Sequence, residues 1–354
     1  MKKSLFILFF ASQLVFSQSV RKYSNEFLNI GVDAAAFGMG KAVVATSNNV
    51  NAMYWNPAGL TNIKKYEGAI MHAEYFAGIA KYDYVGFAMP IDLQSALGIS
   101  LIRFGVDDIL NTTELIDNEG NIDYNRIRLF SAADYAFNIA YARKSRIEGL
   151  NFGANAKIVR RIIGDFATSW GFGIDAGIQY ERNNWKFGLM LRDITTTFNT
   201  WNINEDEFDK IKDAIPGENQ ELPESTEITL PKAQLGVAKQ FAISRDFKLL
   251  TEVDLNLRFA KTNDIISSDI VSIDPALGFQ IDYLNTVFLR GGLGNFQNEL
   301  QFDASKEFVF QPNFGVGFNY RGIQIDYALT NIANVGNALY SNVFSIKIAF
   351  DNFR

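Results

Sequence analysis

Strict alternation of apolar and polar residues is the feature that most constrains the fold of this chain. In residues 323–329 (IQIDYAL), apolar side chains occupy every second position. Because successive side chains of a strand point to opposite faces, such a segment has one apolar and one polar face. The same period recurs where Val253, Leu255, Leu257 and Phe259 alternate with Glu252, Asp254, Asn256 and Arg258, and where Trp185, Phe187, Leu189 and Leu191 alternate with Lys186, Gly188, Met190 and Arg192.

Read along the whole chain, this period predicts fourteen strands, an even number. Several are longer than the roughly 5 to 6 residues that are usual in soluble proteins, and match the roughly 9 to 11 residues that cross a bilayer at a tilt. The predicted strands lie near residues 66–76, 80–91, 95–106, 134–145, 150–162, 168–181, 184–193, 231–243, 247–259, 273–283, 286–294, 307–321, 323–331 and 342–351.

Short and long connections lie at opposite ends of the predicted strands. Every second link is short, from the two residues 321–322 to the six residues 144–149, whereas the long links all fall at the other end of the strands, at 107–133, 194–230, 260–272, 295–306 and 332–341. Short periplasmic turns and long external loops are typical of bacterial outer-membrane barrels, and only a closed barrel satisfies strand edges in lipid. We therefore predict an all-β transmembrane antiparallel β-barrel of about 14 strands in outer-membrane lipid, with periplasmic termini and extracellular long loops. A soluble, secreted β-sandwich is the alternative, but it has no reason to sort its loops in this way.

The first residues are typical of an exported protein. Lys2 and Lys3 precede a short apolar stretch that ends near Ser17, so residues 1–17 are predicted to be a signal peptide, cleaved before Gln18. Without this segment the chain has 31 basic and 39 acidic residues and no basic run, so no nucleic-acid partner is expected. The chain has no cysteine, so stability must come from burial or from a membrane.

Residues 18–62 are predicted to be a periplasmic or lumenal plug segment, followed by the barrel at 63–354. The segment lacks strand alternation and has a run of small residues, which allow close approach of backbones: Ala34, Ala35, Ala36, Gly38, Gly40 and Ala42. It ends in the box YWNPAGL at 54–60. Asn56, Pro57, Ala58 and Gly59 occupy the positions of a type I turn in the order that such a turn prefers. Trp55 and Leu60 flank the turn as apolar anchors.

The acidic loop 194–230 is predicted to contain one short helix. It carries nine acids and two lysines, and Phe208, Ile211 and Ile215 have helical spacing after Asn204, which is placed to cap the helix. Such a helix could pack over the barrel mouth or contact a partner. The alternative interpretation, which is equally well supported, is a solvated loop whose charges keep it soluble.

The sequence offers no constellation for catalysis, and no catalytic, cofactor-binding or metal-ligating residue is assigned. His72 is the only histidine, and a lone strand histidine is expected in the lumen or at the rim. The stretch 38–41 (GMGK) lacks the first glycine and the Ser or Thr of a phosphate-binding loop. Glu252 and Asp254 are interpreted as polar lumen. The protein is therefore expected not to be an enzyme.

Several residues of the N-terminal segment resemble the signature of the PorV/PorQ family of outer-membrane proteins of Bacteroidetes, whose wider relatives are the FadL-type fatty-acid transporters. The family often has Arg where this chain has Ala35, and Gly where it has Lys41. The residues that carry the resemblance are Phe27-Leu28, Gly31, Asp33-Ala34, Gly38-Met39-Gly40, Ala42 and the box Trp55, Asn56, Pro57, Ala58, Gly59, Leu60.

This resemblance, which is closer to PorV, implies a barrel of the type IX secretion system. Its implied partners are the translocon and the C-terminal signal domains of secreted cargo, which it would carry to the surface attachment machinery. The long loops 107–133 and 194–230 are the expected docking regions. The alternative that the resemblance leaves open is a FadL-like transporter of a hydrophobic small molecule.

Overall fold

A computed structural model describes residues 24–76, 78–116, 119–214, 225–300, 305–330 and 341–350, and the side chains of these residues except 211–214 and 300. Fourteen strands form a closed antiparallel barrel. They are β1 (Tyr66–Tyr75), β2 (Ala80–Pro90), β3 (Ser95–Asn111), β4 (Arg128–Lys144), β5 (Leu150–Ile163), β6 (Ala167–Arg182), β7 (Trp185–Arg192), β10 (Lys232–Ala242), β11 (Phe247–Arg258), β13 (Ser272–Tyr283), β14 (Val287–Leu300), β15 (Lys306–Tyr320), β16 (Ile323–Thr330) and β17 (Ser341–Phe350).

The barrel closes where the last strand pairs with the first. Tyr66 lies opposite Phe350, and the antiparallel register continues to Glu74 opposite Asn342. Every other barrel strand pairs with its neighbours in chain order, with β7 joined directly to β10 and β11 to β13. Closure leaves no barrel strand as an open edge, which satisfies the backbone in a hydrocarbon environment. The predicted fold class is confirmed.

Along much of the wall the apolar faces of the strands point outward and the polar faces inward, whereas Tyr82 and Ile102 point inward and are buried in an apolar cluster with plug residues. Ile323 and Ile325 are about half exposed, while Gln324 and Asp326, which alternate with them, are buried. The same holds on β11, where Val253 is exposed and the flanking Glu252 and Asp254 are buried. The alternation seen in the sequence therefore separates an apolar outer wall from a polar lumen.

The structure differs from the predicted loops in four of the five long connections. The β3–β4 pair extends past a register shift to Asn111, and the β14–β15 pair extends in the same way to Leu300. These extensions lack apolar alternation on their outer face, so the period did not reveal them. The long connections also contain three short strands that were not predicted, β8 (Thr197–Ile203), β9 (Thr226–Thr229) and β12 (Ile266–Ser267).

The predicted helix in the acidic loop is present as α3 (Glu205–Ala214). The side-chain oxygen of Asn204 accepts a hydrogen bond from the backbone N–H of Glu207 at 3.4 Å, so Asn204 acts as the predicted cap. Ile215 lies outside the described residues, as do the predicted signal peptide and its cleavage site.

The segment before the barrel folds as short helical pieces inside it. A 3-10 helix (Glu26–Asn29), α1 (Ala34–Gly38), α2 (Ala52–Trp55) and a second 3-10 helix (Pro57–Asn62) precede β1. We call residues 24–62 the plug. Helix α1 packs against β14 to β17, and the second 3-10 helix against β3 to β6. Among the described residues, no helix combines the length and apolar character needed to cross a membrane.

Candidate functional site: the plug and the long-loop end

Asn56 is the polar centre of the YWNPAGL box. Its side chain is completely buried, and its amide nitrogen donates to the carbonyl oxygens of Val44 at 2.9 Å and Ile178 at 3.0 Å. Its side-chain oxygen accepts from the N–H of Ala58 at 3.2 Å. The hydrogen bond of the predicted turn, from Gly59 N–H to the Asn56 carbonyl, is present at 2.9 Å, and the chain then continues as the 3-10 helix. Asn56 thus joins three segments: the turn, the plug and the barrel wall.

Two wall glycines allow the box to approach the wall closely. A Cβ on Gly177 would lie 2.1 Å from the Asn56 side-chain oxygen, and one on Gly153 would lie 2.4 Å from the Pro57–Ala58 peptide. Real atoms do not approach so closely, so neither position tolerates even a methyl group without displacement of the box. The indole N–H of Trp55 donates to the carbonyl of Val32 at 2.9 Å, which fixes the predicted anchor within the plug.

Two lumenal carboxylates hold the middle of the plug. One oxygen of Asp254 accepts from the backbone N–H groups of Val43 at 2.9 Å and Val44 at 3.0 Å. The neighbouring inward residue, Glu252, accepts from the N–H of Ala45 at 2.6 Å and from the hydroxyl of Thr46. The interpretation of both acids as lumen residues is correct, but their function as acceptors for consecutive plug amides was not predicted.

A buried ion cluster lies in the wall beside the plug. Lys157 contacts Asp175 at 2.8 Å and Asp193 at 2.6 Å, and all three side chains are almost completely buried. Asp175 also accepts from the backbone N–H of Asp193 and from Asn155. These bonds satisfy the buried charges, so we interpret the cluster as structural.

The first described residue lies at the long-loop end of the lumen. The hydroxyl of Ser24 is 2.7 Å from that of Thr229, on β9 of the long connection, and it accepts from the amide of Asn199 on β8 at 2.7 Å. At the other end of the chain, Phe350 pairs with Tyr66 at the short-turn end. Residues 18–23 and 351–354 are outside the described residues, so the side that each terminus faces stays a prediction.

The plug separates two lumenal cavities, and Trp55 lines both of them. The cavity toward the short turns has a volume of about 330 Å³, and the cavity toward the long loops about 350 Å³. The second cavity is lined by amide side chains and by Lys41, Arg192, Lys232 and Arg258. Burial lowers the pKa of Lys41 to about 8, with Asp274 opposing and Arg258 reinforcing the shift.

The described part of the long-loop end has exposed apolar side chains. Lys210 of α3 forms an ion pair with Glu114 of the 107–133 connection at 3.4 Å, which links the two predicted docking regions. Arg161 pairs with Glu227 of the longer connection at 3.2 Å. Large side chains that are more than half exposed on or beside this surface are Leu110, Ile116, Ile122, Tyr124, Leu129, Trp170 and Phe198.

His72 lies on the outer face of β1, so the lumen interpretation is wrong and the rim interpretation applies. The residues on either side of it, Met71 and Ala73, are buried, and its ring nitrogen is 2.7 Å from Asp83 on β2. The strand ends three residues later at Tyr75. No group of three or more His, Cys, Asp or Glu residues within the described ranges is arranged to hold a metal ion.

A closed fourteen-stranded barrel with an apolar outer wall, a polar lumen and an internal plug defines this protein as an outer-membrane β-barrel. Comparison with protein families makes the assignment more specific. The model of the type IX secretion system protein PorV matches residues 16–263 of the 354-residue chain, and the chain therefore belongs to the PorV family.

Solved structures show the same fold at low sequence identity. The toluene transporter TodX of Pseudomonas putida is 14% identical, with a TM-score of 0.55, and the match covers 93% of this chain and 98% of TodX. A FadL homologue of Pseudomonas aeruginosa is 12% identical, with a TM-score of 0.53 and coverage of 90% and 98%. No curated protein matches the sequence. The structural likeness establishes the FadL-like barrel fold and says nothing about a ligand.

Proposed function

We propose that this protein binds the C-terminal signal domains of secreted cargo at its long-loop end and carries them from the type IX translocon to the surface attachment machinery. In this proposal the long loops face the outside of the cell and the short turns face the periplasm. The role is one of binding, and it needs no catalytic group. The orientation rests on the sorting of loop lengths, which is typical of bacterial outer-membrane barrels.

The observation that carries the proposal is the exposed apolar surface at the long-loop end. Ile116 is 60% exposed and Tyr124 is 72% exposed, in a connection that the Glu114–Lys210 ion pair ties to α3. Ile116 is paired with Ile122, which is also more than half exposed, and exposed apolar side chains that lie together mark interaction sites in proteins. Aromatic side chains at such a surface supply much of the binding energy in protein interfaces.

Affinity purification from the native outer membrane tests the proposal. The double variant Ile116→Ser, Tyr124→Ser is expected to recover much less cargo than the wild-type chain, while heat-modifiable gel migration shows that its barrel is intact. Leu93→Ser is the matched control, because Leu93 is 93% exposed but lies in a short turn at the opposite end. Equal cargo recovery from the double variant, or normal secretion of every signal-bearing cargo after deletion of the protein, would contradict the proposal.

Transport of a hydrophobic small molecule is the second candidate, because the chain shares its fold with hydrocarbon transporters. The lumenal cavities give it little support. Charged and amide side chains line the long-loop cavity, and the plug lies between it and the short-turn cavity. Uptake of a labelled hydrocarbon that depends on this protein would favour transport over cargo binding.

A further inference from the structure

The long-loop cavity contains more positive charge than its own carboxylates balance. Four cations line it, and two of them have close partners: Arg258 is 3.0 Å from Asp264, and Lys232 is 3.7 Å from Glu26. Partly buried cations without a counterion carry a desolvation cost, so the remaining two, Lys41 and Arg192, indicate which charge the cavity lacks.

Lys41 and Arg192 have no carboxylate within 4 Å in the described part of the chain. The guanidinium of Arg192 donates to the Gln234 side chain and to the Tyr54 carbonyl, both neutral. The ammonium of Lys41 lies 5.4 Å from the ring centre of Phe37. Asp274 lines the same cavity and acts on Lys41 only over a longer distance. Arg192 likewise acts on Asp175 of the buried ion cluster only over a longer distance, so two cations face a space of about 350 Å³ without a carboxylate in direct contact.

The backbone at Lys41 supports a role for its side chain. Lys41 has φ +67°, in the left-handed region that favours glycine over residues with a Cβ. A glycine at this position would avoid the strain, so the lysine side chain occupies a position where the backbone conformation opposes it. Strained residues of this kind concentrate at functional sites.

The rest of the lining defines the chemistry of a ligand. Beside the cations, the cavity is lined by amides such as Gln234, Asn256 and Asn313, which can hydrogen-bond hydroxyl groups. Cations match an oxyanion, and amides match hydroxyls. The volume equals that of roughly ten water molecules, which suits a small molecule.

We propose that the long-loop cavity is a binding site for a small, hydroxyl-rich oxyanion, whose carboxylate or phosphate group lies between Lys41 and Arg192. The site differs from the exposed surface proposed for cargo, and its existence does not depend on cargo binding. An alkyl chain finds few complementary contacts in this cavity, so a fatty acid is not the expected ligand.

Calorimetry on the full chain in detergent tests the site with four probes: glucuronate, inorganic phosphate, glucose and octanoate. Glucuronate and phosphate are expected to bind, and glucose, which lacks the anion, is expected to bind at least tenfold more weakly than glucuronate. Tighter binding of octanoate, equal binding of glucose, or no binding of either anion overturns the proposal.

Lys41→Gly is the decisive variant, because it removes the cation and also relieves the backbone strain. It is expected to fold at least as well as the wild type, and its affinity for glucuronate is expected to fall by about tenfold or more. The control is Lys81→Gln, because Lys81 pairs with Asp107 at 3.6 Å and does not line the cavity. Unchanged affinity in Lys41→Gly, or an equal loss in the control, overturns the proposal.

The pH dependence provides a readout that a purely structural lysine would not give. As the pH rises through about 8, Lys41 loses its proton and the affinity of the wild type for glucuronate should fall. Lys41→Gly should lose that part of the dependence. Charged groups that face Lys41 across the cavity are Glu26, Arg192, Lys232, Arg258 and Asp274. Identical pH profiles for both proteins overturn the assignment of Lys41.

Discussion

Substitution of Asn56 by alanine should release the plug while the barrel persists. The change leaves the buried N–H of Ala58 without its acceptor, which costs about 1 to 3 kcal/mol. It also removes the bonds to the carbonyls of Val44 and Ile178, at about 1 kcal/mol each, and the longer contact with the Leu189 carbonyl at 3.4 Å. The carbonyl of Val44 keeps a second donor, Gln179, at 3.2 Å, which limits the loss. The free energy that holds the plug in the lumen should therefore fall by about 3 kcal/mol or more.

Hydrogen exchange of the plug amides measures this free energy directly. Where exchange requires release of the plug, a loss of about 3 kcal/mol raises the rate by roughly two orders of magnitude. Amides of the barrel strands should keep their wild-type rates. The matched control is Asn62→Ala, because Asn62 is exposed on the same 3-10 helix and, within the described residues, its side chain donates only to the nearby carbonyl of Gly59. If exchange in residues 24–62 rises less than threefold in Asn56→Ala, the box does not hold the plug as argued.

Three further perturbations test other contacts of the plug. Gly177→Ala should lower the unfolding temperature, because the added methyl group costs about 1 to 3 kcal/mol of stability. Gly68→Ala should leave it unchanged, because its Cβ would meet only one atom, at 3.9 Å, and equal melting of the two variants would contradict this. Asp254→Ala should speed hydrogen exchange of the two plug N–H groups that donate to Asp254, because loss of their acceptor costs about 2 to 4 kcal/mol of plug stability. Unchanged exchange would show that another group replaces the carboxylate. The pKa of Lys41 is about 8 in the folded state and ordinarily 10.5, so wild-type stability should rise with pH between these values, by at most about 3 kcal/mol. Lys41→Met should lack this rise in thermal melts across the same range, and parallel pH curves would refute the reasoning.

The outer wall could be predicted from the sequence because lipid imposes a simple rule on it. Each outward position of a spanning strand must be apolar and each inward position faces a polar lumen, so the period revealed β16 (Ile323–Thr330) to within a residue. Where strands continue beyond the apolar wall, as at Asp107 to Asn111, the rule no longer applies. For that reason the alternation did not predict these strand extensions.

The contacts inside the lumen could not be predicted in the same way. Alternation shows that Asp254 faces inward, but it contains no information about which plug amide lies opposite. The backbone angle of Lys41 is equally invisible, because a lysine in a left-handed conformation has no sequence pattern. The available signal was Lys41 itself, which stands where the family resemblance leads one to expect glycine. Such a departure gains meaning only when the local conformation is known.

The small residues of the plug and the glycines of the wall form one complementary feature. A Cβ on Gly38 would lie 2.9 Å from the Cα of Gly315, and one on Gly292 would lie 2.2 Å from the backbone nitrogen of Gly40. An added methyl group on either side would collide with the opposite backbone, because the two backbones are in direct contact. The plug buries large apolar side chains such as Phe37, Met53 and Leu60, and close backbone contact with carboxylate and amide acceptors stabilises it where the wall is polar. This requirement links residues 38–40 to strands more than 250 positions later, and it explains why a short N-terminal signature accompanies this barrel.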